Sequence, residues 1–135
     1  MKVYGNLRKM SSELHDEVHY KLPFFDATNF TQDINLNALI GQTINISYSG
    51  IINCVITGKK IKKAYGDGMS YDAFKSSPLA VESIIRPELS KIHEGIALRD
   101  YEWEMAHHMQ PHVVYLSKTG GVKVGVTRDR QIPYR

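Results

Sequence analysis

A single cysteine, Cys54, stands among 135 residues, so no disulfide within the chain can staple the fold. Long apolar runs are missing too. The longest, residues 50–56, is interrupted by Asn53 and falls far short of a bilayer span. Lys2 is followed by Val-Tyr-Gly-Asn rather than an apolar stretch, so no secretory leader pattern opens the chain. A cytoplasmic location with no membrane partner is the resulting expectation. Internal repeats and low-complexity segments are absent, and no charge of one sign dominates: 17 Lys and Arg oppose 14 Asp and Glu, for a net +3. That mild excess neither demands nor excludes a phosphate-bearing partner.

What is present fits one domain, or two small ones sharing an interface. A 42% hydrophobic content beside 23% charged residues argues against wholesale disorder. The charge is uneven. Residues 1–53 hold four Lys/Arg against five Asp/Glu, and residues 54–135 hold thirteen against nine. Three regions follow: an antiparallel β region at 1–56, a loop-rich segment at 57–97, and a helix with a hairpin at 98–135.

In the first region, Val18, Tyr20 and Leu22 alternate with His19 and Lys21, which predicts an opening strand pair within residues 2–22. Residues 26–33 read as polar loop. The cleanest alternation runs from Thr43 to Ser49, with Ile44, Ile46 and Tyr48 on one face, and predicts a half-buried strand. Ser49-Gly50 then predicts a tight turn into a second, more buried strand at 51–56. Residues 57–97 are punctuated by Gly58, Gly66, Gly68, Pro78, Pro87 and Gly95. They allow only short helical turns, near 71–75 and 87–92. A loop-rich stretch of that length needs an anchor, and a structural metal is the usual one in small modules. Residues 99–109 predict a helix with Leu98, Tyr101, Met105 and Met109 on one face, acidic residues early and His107 and His108 late. Pro111 ends it. A hairpin with Gly120-Gly121 in its turn follows, and Pro133 is placed at the first turn of a further helix.

Cys54-Val-Ile-Thr57-Gly58 has the frame of a zinc knuckle, Cys-x-x-Cys-Gly, with Thr in the second ligand position. Ser70 and Ala73 stand where two more ligands would complete the set. Further blocks follow in order: Lys63-Ala-Tyr-Gly-Asp-Gly68, Arg86-Pro-Glu-Leu89, Arg99-Asp-Tyr-Glu-Trp103, Pro111-His-Val-Val-Tyr-Leu116 and Lys123-Val-Gly-Val-Thr-Arg128. Together they resemble an uncharacterised bacterial domain-of-unknown-function family in which a cysteine-rich segment precedes a GIY-YIG nuclease-like hairpin. The resemblance implies cysteines where this chain has Thr57, Ser70, Ala73, Ser83 and Ser90. Hydroxyls and a methyl do not replace thiolates in a zinc site, and Cys54 and His93 offer two ligands at most. No metal or other cofactor is therefore expected. Cys54 by itself reads as a small buried hydrophobe.

For the hairpin, the resemblance implies Tyr115 as the strand tyrosine near an attacking water and Gly125 as the motif glycine. Lys123 stands where a second tyrosine often lies. Arg135, ten residues beyond Gly125, is the candidate for the helix arginine, and the metal-binding glutamate would lie beyond it. A complete phosphodiesterase site is not expected, because transition-state charge needs cation and donors together. Lys59, Lys60, Lys62 and Lys63 form a basic cluster beside Tyr65, and Lys123, Arg128 and Arg130 add charge on or beside the hairpin. The alternative for the lysines is a solvated loop. His107, His108 and His112 read as surface and helix-dipole residues, and Arg86, Glu88, Arg99, Asp100, Glu102 and Glu104 as ion-pair formers.

The fold expectation is α+β: an N-terminal antiparallel sheet, a degenerate knuckle, one helix and an incomplete GIY-YIG-like hairpin. The function expectation is nucleic-acid association without a complete catalytic site. A structural or protein-interaction module and a nuclease formed only in a longer parent chain are the alternatives. An exposed hairpin edge further predicts a homodimer.

Overall fold

The computed structural model describes residues 1–133 and has an α+β architecture in which every sheet is antiparallel. It divides into two compact units, Met1–Ser76 and Ser77–Arg135. Among the described residues no helix is long and apolar enough to cross a membrane.

The first unit is organised by one long strand. β3 (Val18–Asp26) carries β1 (Asn6–Leu7) and β2 (Ser11–Leu14) along one edge and β4 (Asn29–Asn35) along the other. The expected opening pair is β2 with β3, in the register Ser12↔Tyr20 and Leu14↔Val18. Lys21 and Glu13 add an ion pair of 2.9 Å across it. Residues 29–33, within the stretch expected to be loop, belong to strand β4 instead. Its mostly polar side chains face water, and backbone pairing to β3 holds it.

The predicted strand at 43–49 is not formed. Residues 41–51 are exposed and lack regular structure, with Ile44, Ile46 and Tyr48 in solvent. Alternation alone does not make a strand, because the backbone groups need a partner ladder and this segment has none. The hairpin lies one step further on: β5 (Ile52–Asn53) pairs with β6 (Lys60–Ile61), and a short helix α1 (Tyr71–Ser76) closes the unit.

The second unit begins with a chain of 3-10 turns at Pro78–Ala80, Glu82–Ile84, Pro87–Leu89 and Ile92–Glu94. The short helical turns read near 71–75 and 87–92 are thus present. Helix α2 (Tyr101–His108) follows, its start fixed by Asp100, whose carboxylate accepts the Trp103 N–H at 2.8 Å. The buried position on α2 is Glu104, whereas Leu98, Tyr101 and Met109 are exposed. Of the expected apolar face only Met105 is half-buried, and the inward side of α2 mixes it and Trp103 with Glu104, His107 and His108. The terminal hairpin, β7 (His112–Thr119) with β8 (Gly121–Arg128), forms as read, with Gly120 at positive φ in its turn. After it, Asp129–Gln131 makes a 3-10 turn and Pro133 lies in a turn. A helix beyond it lies outside the described residues.

Candidate functional site

The segment read as a degenerate knuckle lies at the β5–β6 turn. The Cys54 N–H donates to the Lys59 carbonyl at 2.9 Å, and the Gly58 N–H donates to the Cys54 carbonyl at 2.8 Å. Gly58 has φ of +69°, a conformation that favours glycine, and a Cβ there would sit tightly against Ala27 and Thr28 at the β3–β4 turn. A second loop closes over the first. Tyr65 and Met69 exchange backbone hydrogen bonds, and the Val55 N–H donates to the Gly68 carbonyl at 2.9 Å. Ser70 then starts α1, its hydroxyl accepting from the Ala73 N–H at 3.2 Å.

These two loops bring four positions together: Cys54, Thr57, Ser70 and Ala73. The Ser70 N–H donates to Cys54 Sγ at 3.2 Å, and both Cys54 and Ala73 are buried. Burial pushes the Cys54 thiol up, but hydrogen bonds from the Thr57 hydroxyl and from the N–H groups of Ser70, Thr57 and Ile56 outweigh it and hold the pKa at about 6. The sulfur thus sits in a nest of hydroxyl and N–H donors. Among the described residues, however, no three metal-ligating side chains converge.

Ser83 and Ser90 belong to the second unit. Ser83 is buried and its hydroxyl meets His108 Nε2 at 2.9 Å. His108, His93 and Ser90 line one open cavity of about 430 Å³, together with Glu88, Met109 and His112. Cys54 and His93, the two ligands the sequence retains, therefore belong to different units.

His107 and His108 are half-buried rather than surface residues. His107 stacks on Trp103 with ring centroids 3.5 Å apart, its Nδ1 lying 3.1 Å from the Trp103 carbonyl oxygen. Burial lowers its pKa, and the nearby charges of Arg130 and Arg128 lower it further. Burial likewise lowers His108, against the pull of Glu104. Glu104 holds the entry to α2 in place. Its carboxylate accepts N–H bonds from Leu98, Arg99 and Asp100 at 2.8–3.2 Å. Burial pushes this carboxyl up, yet the three donors and His108 leave it below the usual range. Arg99 pairs with Glu82 at 2.9 Å and donates to the Ser77 carbonyl, while Arg86 pairs with Glu88 at 3.1 Å.

Lys59, Lys60, Lys62 and Lys63 are all exposed, and none forms an ion pair among the described residues. Beside them is an aromatic group of which the sequence reading names only Tyr65. That ring lies 5.2 Å from Tyr71 and 6.1 Å from Phe74 between centroids. Lys63 Nζ sits 5.1 Å from the centre of the Tyr65 ring, and Lys75 Nζ lies 5.5 Å from that of Tyr71. Tyr71, Phe74 and Lys75 are the residues that sequence reasoning misses. Their three- and four-residue spacing on a short helix is the available signal.

On the terminal hairpin, Tyr115 and Gly125 are direct cross-strand partners. A Cβ at Gly125 would fall inside the Tyr115 ring, so the glycine leaves room for that ring to lie across the neighbouring strand. Lys123 pairs with Ser117, and Arg128 and Arg130 stand near His107. These cations belong to the second unit and the four lysines to the first. Arg135 lies outside the described residues.

A family model described as protein of unknown function, DUF2797, matches residues 41–135, which is 95 of the 135 residues. No curated protein and no solved structure matches the chain. The chain belongs to the DUF2797 family, whose matched region takes in the β5–β6 turn, the second unit and the terminal hairpin.

Proposed function

We propose that this member of the DUF2797 family associates with nucleic acid through its knuckle, and that single strands are the preferred form. The observation that carries the reading is the exposed set of Lys59, Lys60, Lys62 and Lys63 next to the Tyr65–Tyr71–Phe74 ring group. Phosphates attract unpaired cations, and unstacked bases find a platform on aromatic faces, each stacked base contributing about 1–3 kcal/mol. Lys63 and Lys75 would trade their ring contacts for phosphate contacts. The basic residues of the second unit, Lys123, Arg128 and Arg130, would add charge independently.

In this reading the GIY-YIG-like hairpin is non-catalytic. Tyr115 and Gly125 are explained by packing on each other, which supplies no cation, no base and no metal ligand. A nuclease assembled in a longer parent chain, with Arg135 as its helix arginine, is the further proposal that the resemblance allows.

Fluorescence anisotropy of labelled single-stranded and duplex oligonucleotides, titrated with the chain at several salt concentrations, tests this. Four phosphate contacts to a single strand give a log–log salt slope of about −3. Changing the four lysines to Gln should flatten that slope, and Tyr71→Ala should weaken single-strand binding while leaving the slope alone. Absence of binding at low salt sinks the reading and leaves a structural or protein-binding role.

A further inference from the structure

The two faces of the terminal hairpin differ in a way that nucleic-acid binding does not use. Side chains alternate along each strand, so the register Val114↔Val126, Leu116↔Val124 and Lys118↔Val122 places five aliphatic groups on one face. On the opposite face Val113, Tyr115, Ser117, Gly125 and Thr127 are half-buried or buried, while Thr119, Gly121 and Lys123 near the tip are exposed. The aliphatic face is bare: Val114, Leu116, Val122, Val124 and Val126 are 64–73% exposed. A sheet with one solvated face normally alternates apolar and polar residues. Here the outward phase is aliphatic over three consecutive rungs, with Lys118 at the tip and His112 and Arg128 closing the base.

We infer that a second copy of this chain covers this face, giving a two-fold dimer in which the hairpins pack face to face. Five side chains exposed to this degree make a patch on the order of 500 Å², at the upper end of the roughly 300–600 Å² that monomers leave bare. Two patches pressed together remove about 1,000 Å², and the flanking rungs bring the total towards the ~1,200 Å² at which specific interfaces begin. The strip contains no hydrogen-bonding group in its three central rungs apart from Lys118, so it demands no matching donor or acceptor. A uniform aliphatic strip is complementary to itself, as an isologous contact requires. Both rims are basic, so two copies bring like charges together at the ends. Salt therefore strengthens the dimer, opposite in sign to its effect on phosphate binding.

Sedimentation equilibrium of the 135-residue chain over a range of concentrations, at low and high salt, decides the matter. The expected result is a monomer–dimer equilibrium that plateaus at two copies and tightens with salt. Leu116→Lys or Val124→Lys should raise the dissociation constant ~tenfold or more, with Trp103 emission and far-UV circular dichroism unchanged. Ile85→Lys, a change to an exposed aliphatic residue outside the hairpin strands, should leave it alone, and Val124→Thr should give a smaller weakening. A monomer at every concentration overturns the inference and assigns the face to another occupant. So does a mass that climbs without a plateau, or a dimer indifferent to both lysine substitutions.

Discussion

At the scale of single residues, buried titratable groups make stability depend on pH, each in its own window. Cys54 has its folded pKa held at about 6, below the ordinary thiol value of 9.0, by its hydrogen-bond donors. The unfolded chain binds the proton more tightly, so the first unit should gain stability as pH rises from 6 towards 9. Thiolate absorbance at about 240 nm should titrate near pH 6 in the folded chain, and Cys54→Ser should remove this part of the pH profile. A midpoint near 9 would contradict the donor nest. His107 and His108 are lowered by burial, so stability of the second unit should fall as pH drops below the ordinary histidine value of 6.5. Glu104 adds a loss at lower pH, since its stabilisation exists above the usual carboxylate value and vanishes as the folded carboxyl is protonated. Trp103, the one tryptophan, reports this directly because His107 stacks on it. Its emission should change with a midpoint below 6.5, and His107→Gln should abolish that transition. Removing the Glu104 charge by Glu104→Gln leaves N–H donors at residues 98–100 short of an acceptor, a cost of about 2–3 kcal/mol in urea unfolding followed at Trp103.

At the scale of elements, the loops around Cys54 and the terminal hairpin each have a structural logic that substitution can expose. Thr57 and Ser70 both hydrogen-bond the Cys54 sulfur, and the Ala73 N–H donates to the Ser70 hydroxyl, so the four positions form one connected group. Thr57→Cys, Ser70→Cys and Ala73→Cys introduced together should create a four-thiolate site that binds Co²⁺ with tetrahedral charge-transfer absorption, while each single change should not. Failure of the triple variant, folded by circular dichroism, would mean that the loops no longer keep ligand geometry. In the hairpin, Gly125→Ala should cost about 1–3 kcal/mol because its Cβ displaces the Tyr115 ring. The same change in a Tyr115→Ala background should be neutral or better, since the clash is gone and glycine is a poor strand residue. Equal costs in both backgrounds would show that the ring does not dictate the glycine.

The elements also show how far the amino-acid pattern reaches. Helix α2 and the β7–β8 hairpin are legible because a capping Asp100, a stop at Pro111 and two glycines at the turn agree with the strand pattern. The face of α2 is not legible: Glu104 turns inward to reach three N–H groups that come from a loop, which no helical period encodes. Residues 43–49 alternate without a partner ladder, and β4 has a ladder without a clear alternation. Each misreading follows from pairing being non-local. The candidate ligand positions are readable as residue types, but that Cys54 belongs to the first unit and the Ser83–His108 pair to the second follows from the division of the chain at Ser76 and Ser77.

At the scale of the whole molecule, the family match and the division into units do not share a boundary. The match begins at residue 41, inside the first unit, and leaves β1 to β4 outside it. Between β4 and β5 the chain runs exposed and irregular over residues 41–51, with Ile44, Ile46 and Tyr48 facing solvent. Few buried contacts and no backbone ladder make such a segment cheap to open, and proteases need an extended stretch that can leave the surface. Limited chymotrypsin digestion should therefore cut after Tyr48 before reaching Tyr65, Tyr71, Tyr101 or Tyr115. The fragment that begins at Ser49 should keep the folded-state emission of Trp103. An earlier cut near Ser76 and Ser77 would instead make the boundary between the two units the weaker link. The N-terminal sheet would then be bound to the knuckle more firmly than the contact of Ala27 and Thr28 with the Gly58 turn requires.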